Sequence, residues 1–259
     1  MYGVKFKVTK APQTLDGWYC LHSLYRVDWA RWQALTGAAR TALLAEADEF
    51  MAKERSTQER HLGSSGHYWL LGHKADVMGV HLRPTLEELA AIENAWARSG
   101  IGGFLLPAYS YLSVVELSTH TSSPRSEQAQ REAEAALVRR LEPDLPQNRY
   151  ICFYPMSKLR GEEHNWYMLD AAARRDLMRS HGVIGHSYAE RVRQIITGSM
   201  GLDDWEWGVD LFSDDPLQFK KIIYEMRFDE VSAVYALFGS FYVGMRLETG
   251  DLRRYLTGL

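Results

Sequence analysis

One predicted strand carries an unusual combination of side chains on a single face. The stretch from Tyr150 to Lys158 is typical of a strand, and residues two apart on a strand point the same way, so Tyr154, Met156 and Lys158 share a face. This face suits an apolar ligand with negative charge, because methionine packs softly, tyrosine has a polar tip and lysine is cationic. The alternative is a strand near a sheet edge whose lysine reaches solvent.

A single histidine is expected on the buried stripe of a predicted helix. Asp170 is a suitable N-cap for this helix, Gly182 is expected just beyond its end, and His181 follows Leu177 by four residues. One histidine without neighbouring ligands cannot hold zinc, but it can bind haem iron, whose macrocycle supplies four donors. The alternatives are a core histidine or a charged histidine stabilised by the C-terminal helix dipole.

Two arginines and a serine are candidates for binding an anion. Arg140 and Arg227 fall near the ends of predicted helices, and Ser232 is expected in the loop after Arg227. Arginine can bind a carboxylate through two parallel hydrogen bonds. Solvated charges at helix ends are the alternative explanation for both arginines.

The composition excludes several classes of protein. The chain has 259 residues, with 30 Lys and Arg against 33 Asp and Glu, and this formal charge of −3 argues against a nucleic-acid binder. An apolar content of 46% is enough for a core, and two cysteines exclude a disulfide scaffold. The sequence contains no apolar run long enough to span a membrane and no signal-peptide pattern. We therefore expect a cytoplasmic protein without a membrane span.

The elements that must position these residues occur in the same order twice. Each half is predicted as βαββαβ, which is the ferredoxin-like arrangement and gives an α+β fold. We expect an N-terminal half over 1–118, a helical connector over 119–149 with its helix at 127–140, and a C-terminal half over 150–259. The predicted strands cover 15–26, 67–72, 76–82 and 109–117 in the first half, and 150–158, 194–196, 205–212 and 241–247 in the second.

Short sequence echoes also suggest a duplication. Gly79-Val80-His81-Leu82 precedes the second helix of the first half, and Gly208-Val209-Asp210-Leu211 precedes that of the second. Cys20 and Cys152 both fall on the first strand of their half. The order of elements is the stronger evidence, because echoes this short also arise by chance.

Longer motifs in the second half resemble a known family. The run from Ile151 to Lys158, the segments 165–169 and 203–209, His181-Gly182 and the segment 225–230 are similar to the coproheme decarboxylases. These enzymes belong to the chlorite dismutase-like family, and this chain most resembles their Firmicutes-type branch. The resemblance extends over nearly the whole chain, from Leu15-Asp16-Gly17-Trp18 to Phe238-Gly239-Ser240-Phe241.

The resemblance implies a reaction. Similar proteins use hydrogen peroxide to convert two propionates of iron coproporphyrin III (coproheme) to vinyl groups, which releases two CO2 and yields haem b. The substrate carries the iron, so no separate cofactor is expected. The resemblance also implies a homopentamer, an N-terminal half that binds no haem, and a possible transient contact with ferrochelatase.

The resemblance assigns roles to the residues with unusual spacing. His181 matches the proximal iron ligand, and Tyr154 matches the tyrosine whose radical abstracts hydrogen from a propionate. Lys158 matches the lysine that serves the second decarboxylation, and Met156 would pack beside the macrocycle.

The remaining matches concern the propionates and the distal side of the iron. Arg140, Arg227 and Ser232 match propionate-binding positions, and Gln194 matches the residue on the distal side. His120 stands where close relatives have a tyrosine near the propionates, so the contacts at that position are in question.

Two other functions remain as alternatives. The first is a chlorite dismutase or haem peroxidase of the same fold, and the second is a haem-binding protein without catalysis. Chlorite dismutases have a distal arginine where this chain has Gln194. The adjacent Arg193 is expected on the opposite face of its strand, and a register slip of one residue would reverse the two.

Overall fold

The computed structural model describes residues 11–118 and 127–258. The strands are β1 (Thr14–Val27), β2 (Ser64–Leu70), β3 (Val77–Arg83), β4 (Leu105–Ser118), β5 (Tyr150–Lys158), β6 (Arg193–Gly198), β7 (Trp207–Ser213), β8 (Ala236–Phe238) and β9 (Tyr242–Arg246). The helices are α1 (Trp29–Ala34), α2 (Gly37–Arg55), α3 (Leu86–Arg98), α4 (Glu127–Leu141), α5 (Ala171–Ser187), α6 (Leu217–Met226), α7 (Glu230–Tyr235) and α8 (Asp251–Thr257).

The strands form one antiparallel sheet that closes on itself. The strand order is β7-β6-β4-β1-β3-β2-β9-β5-β8, and a further pairing of β7 with β5 completes a barrel. Within it, β4-β1-β3-β2 and β9-β5-β7-β6 each have the order expected of a ferredoxin-like unit. The predicted α+β fold with two such halves is confirmed.

Alternation along the strands separates the barrel interior from its outer surface. Cys20 and Leu24 of β1 pack inside the barrel with Phe153 of β5, whereas Cys152 and Tyr154 point outward to a different cluster. The outer surface of the first half packs against α2 and α3, and that of the second half faces α5 and α6. Side chains from both halves therefore form one interior core.

An ion pair inside the barrel joins the two halves. His22 of β1 lies 3.0 Å from a carboxylate oxygen of Asp210 on β7, and both side chains have no exposed surface. Burial alone lowers the pKa of His22, but the Asp210 carboxylate and the Cys20 thiol together outweigh this effect and raise the pKa to about 10. His22 is therefore protonated at neutral pH, and the pair stabilises the contact between the halves.

Several local predictions are confirmed, and others are wrong. Thr85 and Glu88 form the predicted capping box at the start of α3. Helix α5 does not end before Gly182 but continues to Ser187, because neither glycine of its second half adopts a positive φ. Ser232 lies in the first turn of α7 rather than in a loop. The sequence pattern also missed the short elements α7, β8 and α8.

The two sequence echoes do not correspond in space. Gly79 lies on the outer surface beside His81, whereas Gly208 faces the barrel interior, where an added Cβ would meet the Tyr111 ring. Cys20 and Cys152 likewise point to opposite sides of the sheet. The repeated element order therefore supports the two-half architecture, and the echoes do not.

The helix of the connector agrees with the sequence. A helix predicted at 127–140 is found as Glu127–Leu141. Its C-terminal end approaches β1 closely, because an added Cβ at Gly17 would overlap the Leu141 carbonyl. No helix in the described ranges is long and apolar enough to cross a membrane.

Candidate active site

The outward face of β5 carries the predicted tyrosine. Tyr154 is only 4% exposed and lies in a cluster with Cys152 and Met156, so the predicted face of the strand is found. Its ring stacks on Phe241 at 4.6 Å between centroids and tilts against Phe238 at 5.8 Å. Burial raises the pKa of Tyr154, so its phenol keeps its proton at neutral pH.

Lys158 extends the same face to the edge of a cavity. Its ammonium nitrogen lies 4.7 Å from the centroid of the Trp166 ring, and the residue is 8% exposed. Burial lowers the pKa of Lys158 to about 8, although the carboxylates of Asp229 and Glu206 favour the charged form. Lys158 also borders an open cavity of about 490 Å³, which is lined by residues such as Arg160 and Trp205 but not by Tyr154 or His181. A partly buried cation next to a cavity can bind an anionic group of a ligand.

A carboxylate orients the candidate iron ligand. His181 Nδ1 lies 2.8 Å from Asp229 Oδ2, and the Asp229 side chain is 3% exposed. With Nδ1 donating to Asp229, the lone pair of a neutral imidazole is on Nε2, which is the form that binds a metal. Asp229 is itself held as the N-cap of α7, where it accepts a hydrogen bond from Ser232 N. This arrangement can place one imidazole nitrogen on an iron ion.

The helix that carries His181 packs loosely against its sheet. None of the side chains of α5, all of which belong to the described part of the chain, is buried, and His181 is 25% exposed rather than part of a buried stripe. Met178 and Val183 are 42% and 66% exposed. An added Cβ at Gly182, next to His181, would meet nothing within 4 Å. A partly exposed imidazole on a loosely packed helix leaves room for a planar ligand with iron at its centre.

Gln194 faces the same helix from the sheet. An added Cβ at Gly185, one turn beyond His181, would lie 4.0 Å from Gln194 Nε2 and 3.6 Å from Met226 Cε. The register of β6 places Ile195 inside the barrel, so its neighbour Gln194 points outward. Arg193, two residues before Ile195, is on the inward-facing side of the strand. The predicted relation of Gln194 and Arg193 is therefore found.

Two of the three candidate propionate-binding residues lie near this face. Arg227 follows α6, and its guanidinium lies 3.8 Å from the centroid of Phe238, the ring that also contacts Tyr154. Its positive charge opposes the rise in the pKa of Tyr154. Ser232 is 5% exposed and bonds through its backbone to the carboxylate that orients His181.

Two further candidates are not joined to this group. Arg140 is exposed in the last turn of α4, a helix that packs against β1 and β4. In the described ranges, no hydrogen bond or ion pair links it to Tyr154 or His181. His120 lies outside the described residues. The roles of both residues remain predictions.

Sequence reasoning missed two carboxylates that the fold brings to the site. Asp229 contacts His181 across 48 residues of sequence, and Glu206 accepts a hydrogen bond of 2.7 Å from the Lys158 backbone N–H. Asp229 carried a local signal, because aspartate is among the preferred N-cap residues of helices. Its contact with His181 had no local signal.

Comparison with known proteins establishes the family. The chlorite dismutase family model matches residues 40–247, so the chain belongs to the chlorite dismutase family. A coproheme decarboxylase from Staphylococcus saprophyticus is 48% identical over 235 residues, which cover 91% of this chain and 94% of that protein. The resemblance found in the sequence is therefore confirmed.

Solved structures agree with the fold. A haem-binding protein from Thermus thermophilus is 45% identical and has a TM-score of 0.88, covering 97% of this chain and 99% of its own. A chlorite dismutase from Candidatus Nitrospira defluvii is 20% identical, with a TM-score of 0.73 over 93% of this chain and 95% of its own. At that identity the second likeness concerns the fold alone.

Proposed function

We propose that this chain converts coproheme to haem b by oxidative decarboxylation with hydrogen peroxide. The arrangement of His181, Tyr154 and Lys158 around the loosely packed helix α5 carries this proposal. Its strongest support from relatives is the 48% identity to a protein named coproheme decarboxylase. The substrate carries the iron, and no separate cofactor is needed.

The overall chemistry balances for each propionate. A propionate side chain that becomes vinyl loses CO2, two electrons and one proton. One hydrogen peroxide takes up two electrons and two protons and becomes two waters, so one proton is consumed from solvent per vinyl group. When bound, the iron porphyrin supplies the site at which peroxide is reduced. The protein must bind the macrocycle, orient it and remove a hydrogen atom from the propionate.

Each residue has a specific part in this reaction. His181 binds iron through Nε2, and Asp229 holds the ring in the required tautomer. Tyr154 retains its proton, and its oxidised form can abstract hydrogen from a nearby propionate. Lys158 stabilises a carboxylate and supports the second decarboxylation.

The remaining residues bind the substrate. Arg227 and Ser232 anchor propionates, as we also propose for Arg140 and His120. Met156 packs beside the macrocycle. Gln194 would face the distal side of the bound iron, and its uncharged side chain would not stabilise a chlorite anion as a cation does, which favours decarboxylation over chlorite chemistry.

The direct test is a peroxide titration of the coproheme-loaded protein, followed by mass spectrometry of the extracted porphyrin. Sequential loss of two carboxyl groups, ending at haem b, is the expected result. Unchanged or bleached coproheme would contradict the proposal, and rapid oxygen release from chlorite would favour a chlorite dismutase.

We further propose a homopentamer in the cytoplasm, with transient contact to ferrochelatase. Exposed apolar side chains such as Phe228 at 76% and Leu217 at 62% support association with other chains. Two free, buried cysteines fit a reducing compartment. Sedimentation that yields a stable monomer would contradict the pentamer.

A further inference from the structure

A small cavity lies on the outer surface of the first half, beneath α3. Ser23 of β1, Gly79 of β3 and His67 of β2 lie side by side across three paired strands. Because Gly79 has no side chain, space remains between its two neighbours, and Trp96 of α3 covers it. The cavity has a volume of about 10 Å³, which is the lower limit for one water molecule.

Three buried polar atoms of residues that line this cavity have no partner in the described part of the chain. They are Ser23 Oγ, His67 Nδ1 and Trp96 Nε1, and the residues are 6%, 3% and 5% exposed. The Ser23 hydroxyl has the Tyr25 hydroxyl as a neighbour, but outside hydrogen-bonding geometry. Buried polar groups without partners are costly, so three around one cavity indicate a bound molecule that satisfies them.

The chemistry of the three atoms selects the ligand. Trp96 Nε1 only donates, so the ligand must accept a hydrogen bond. Burial, together with the charges of Arg55, Arg246 and Arg83, lowers the pKa of His67 to about 3, so this ring is neutral and Nδ1 donates or accepts according to its tautomer. The positive field disfavours a cation. A water molecule can bond to Nδ1 in either tautomer and can also donate to Ser23 Oγ, whereas a halide ion only accepts hydrogen bonds.

We propose that this cavity, bordered by Ser23, His67 and Trp96, holds one structural water molecule. The water accepts a hydrogen bond from Trp96 Nε1 and forms hydrogen bonds with His67 Nδ1 and Ser23 Oγ. It joins β1, β2 and α3 and closes the outer surface of the first half. This site is independent of the proposed reaction at the second half.

Crystallography of the full chain at about 1.5 Å resolution tests the site directly. We expect one density peak within hydrogen-bonding distance of the three atoms, at about 2.7–3.2 Å. An empty cavity would overturn the proposal. Anomalous scattering at the peak after a bromide soak would also overturn it, because a halide ion would then be the ligand.

A pair of variants tests the same site in solution. Ser23→Val replaces the hydroxyl by methyl groups that fill the cavity, and Ser110→Val is the matched control, because Ser110 pairs with Ser23 on β4 and is exposed. Oxygen-17 relaxation dispersion measures the number of long-lived internal waters. We expect one fewer in Ser23→Val and no change in Ser110→Val. An unchanged number in a folded Ser23→Val would contradict the assignment.

Discussion

The outer surfaces of the two halves have the same topology but pack differently. In the first half, α2 buries Leu44, Ala47, Met51 and Glu54 against its sheet. Its counterpart in the second half, α5, buries no side chain, although it too belongs to the described part of the chain. Helices normally gain their stability by burying an apolar face, so the loose packing of α5 indicates space kept for a ligand.

The polar groups on the two surfaces differ in the same way. His67 and His81 of the first half are both buried, and burial lowers the pKa of each. His181 of the second half remains partly exposed and is oriented by Asp229. The first surface therefore keeps its histidines as core residues, whereas we propose that the second uses its histidine to bind iron. The histidines also lie on different elements, because His67 and His81 belong to strands and His181 belongs to α5.

The largest expected effect follows from removing the candidate iron ligand. His181→Ala should abolish the iron–histidine bond and the decarboxylation, because it removes the imidazole that Asp229 orients. Absorption spectra of the coproheme-loaded protein measure the bond through the Soret band. The control is His186→Ala, an exposed residue on the same helix. An unaltered Soret band in His181→Ala would show that His181 does not bind the iron, and the proposed difference between the two surfaces would then be wrong.

Loss of the tyrosine hydroxyl should reduce turnover while binding persists. Tyr154→Phe keeps the ring that stacks on Phe241 but removes the O–H group, so decarboxylation should fall by at least about 100-fold. Mass spectrometry of the porphyrin and a coproheme binding titration provide the two readouts. Tyr224→Phe, at a residue 56% exposed, is the control. Equal turnover of Tyr154→Phe and the unmodified chain would exclude the proposed role.

Neutralising the carboxylate behind His181 should have an intermediate effect. Asp229→Asn keeps the size of the side chain but no longer secures the Nδ1–H tautomer, so coproheme affinity should fall by about 10–100-fold. Titration with coproheme measures the affinity, and Asp176→Asn on the exposed side of α5 is the control. If both variants bind coproheme equally well, the Asp229 carboxylate does not orient His181.

The smallest expected effect is a pH dependence of substrate binding. Lys158 has a pKa of about 8, so it is charged at pH 7 and mostly neutral at pH 9. The affinity for the anionic substrate should therefore fall by roughly five-fold as the pH rises through 8. Lys158→Met should bind coproheme more weakly at pH 7, and its affinity should no longer fall as the pH rises through 8. Lys220→Met, at an exposed position, should retain this fall in affinity. If the affinity of Lys158→Met falls with pH by the same factor, a group other than Lys158 causes the pH dependence.

Much of the architecture was predictable because its signals are local. Alternation along 150–158 predicted that Tyr154 and Met156 share a face, and the Thr85/Glu88 pair predicted where α3 begins. Both features depend on residues only a few positions apart. The short elements α7, β8 and α8 were missed because segments of three to seven residues contain too little periodicity.

The candidate site was predictable only in part. Motif resemblance singled out His181, Tyr154 and Lys158. It did not reveal that the Asp229 carboxylate contacts His181 and favours the charged form of Lys158. The expectation of a buried stripe around His181 was wrong, because helical spacing shows which side of a helix is apolar but not how closely it packs.

The sequence by itself determined the class of elements, their order and the family, since these depend on local patterns and on motifs that span most of the chain. Only the tertiary structure decided which side of the barrel each strand residue faces, as Gly79 and Gly208 show. It also decided that α2 docks against its sheet while α5 stays loosely packed. These outcomes depend on register and helix docking, which are set by contacts between residues far apart in sequence.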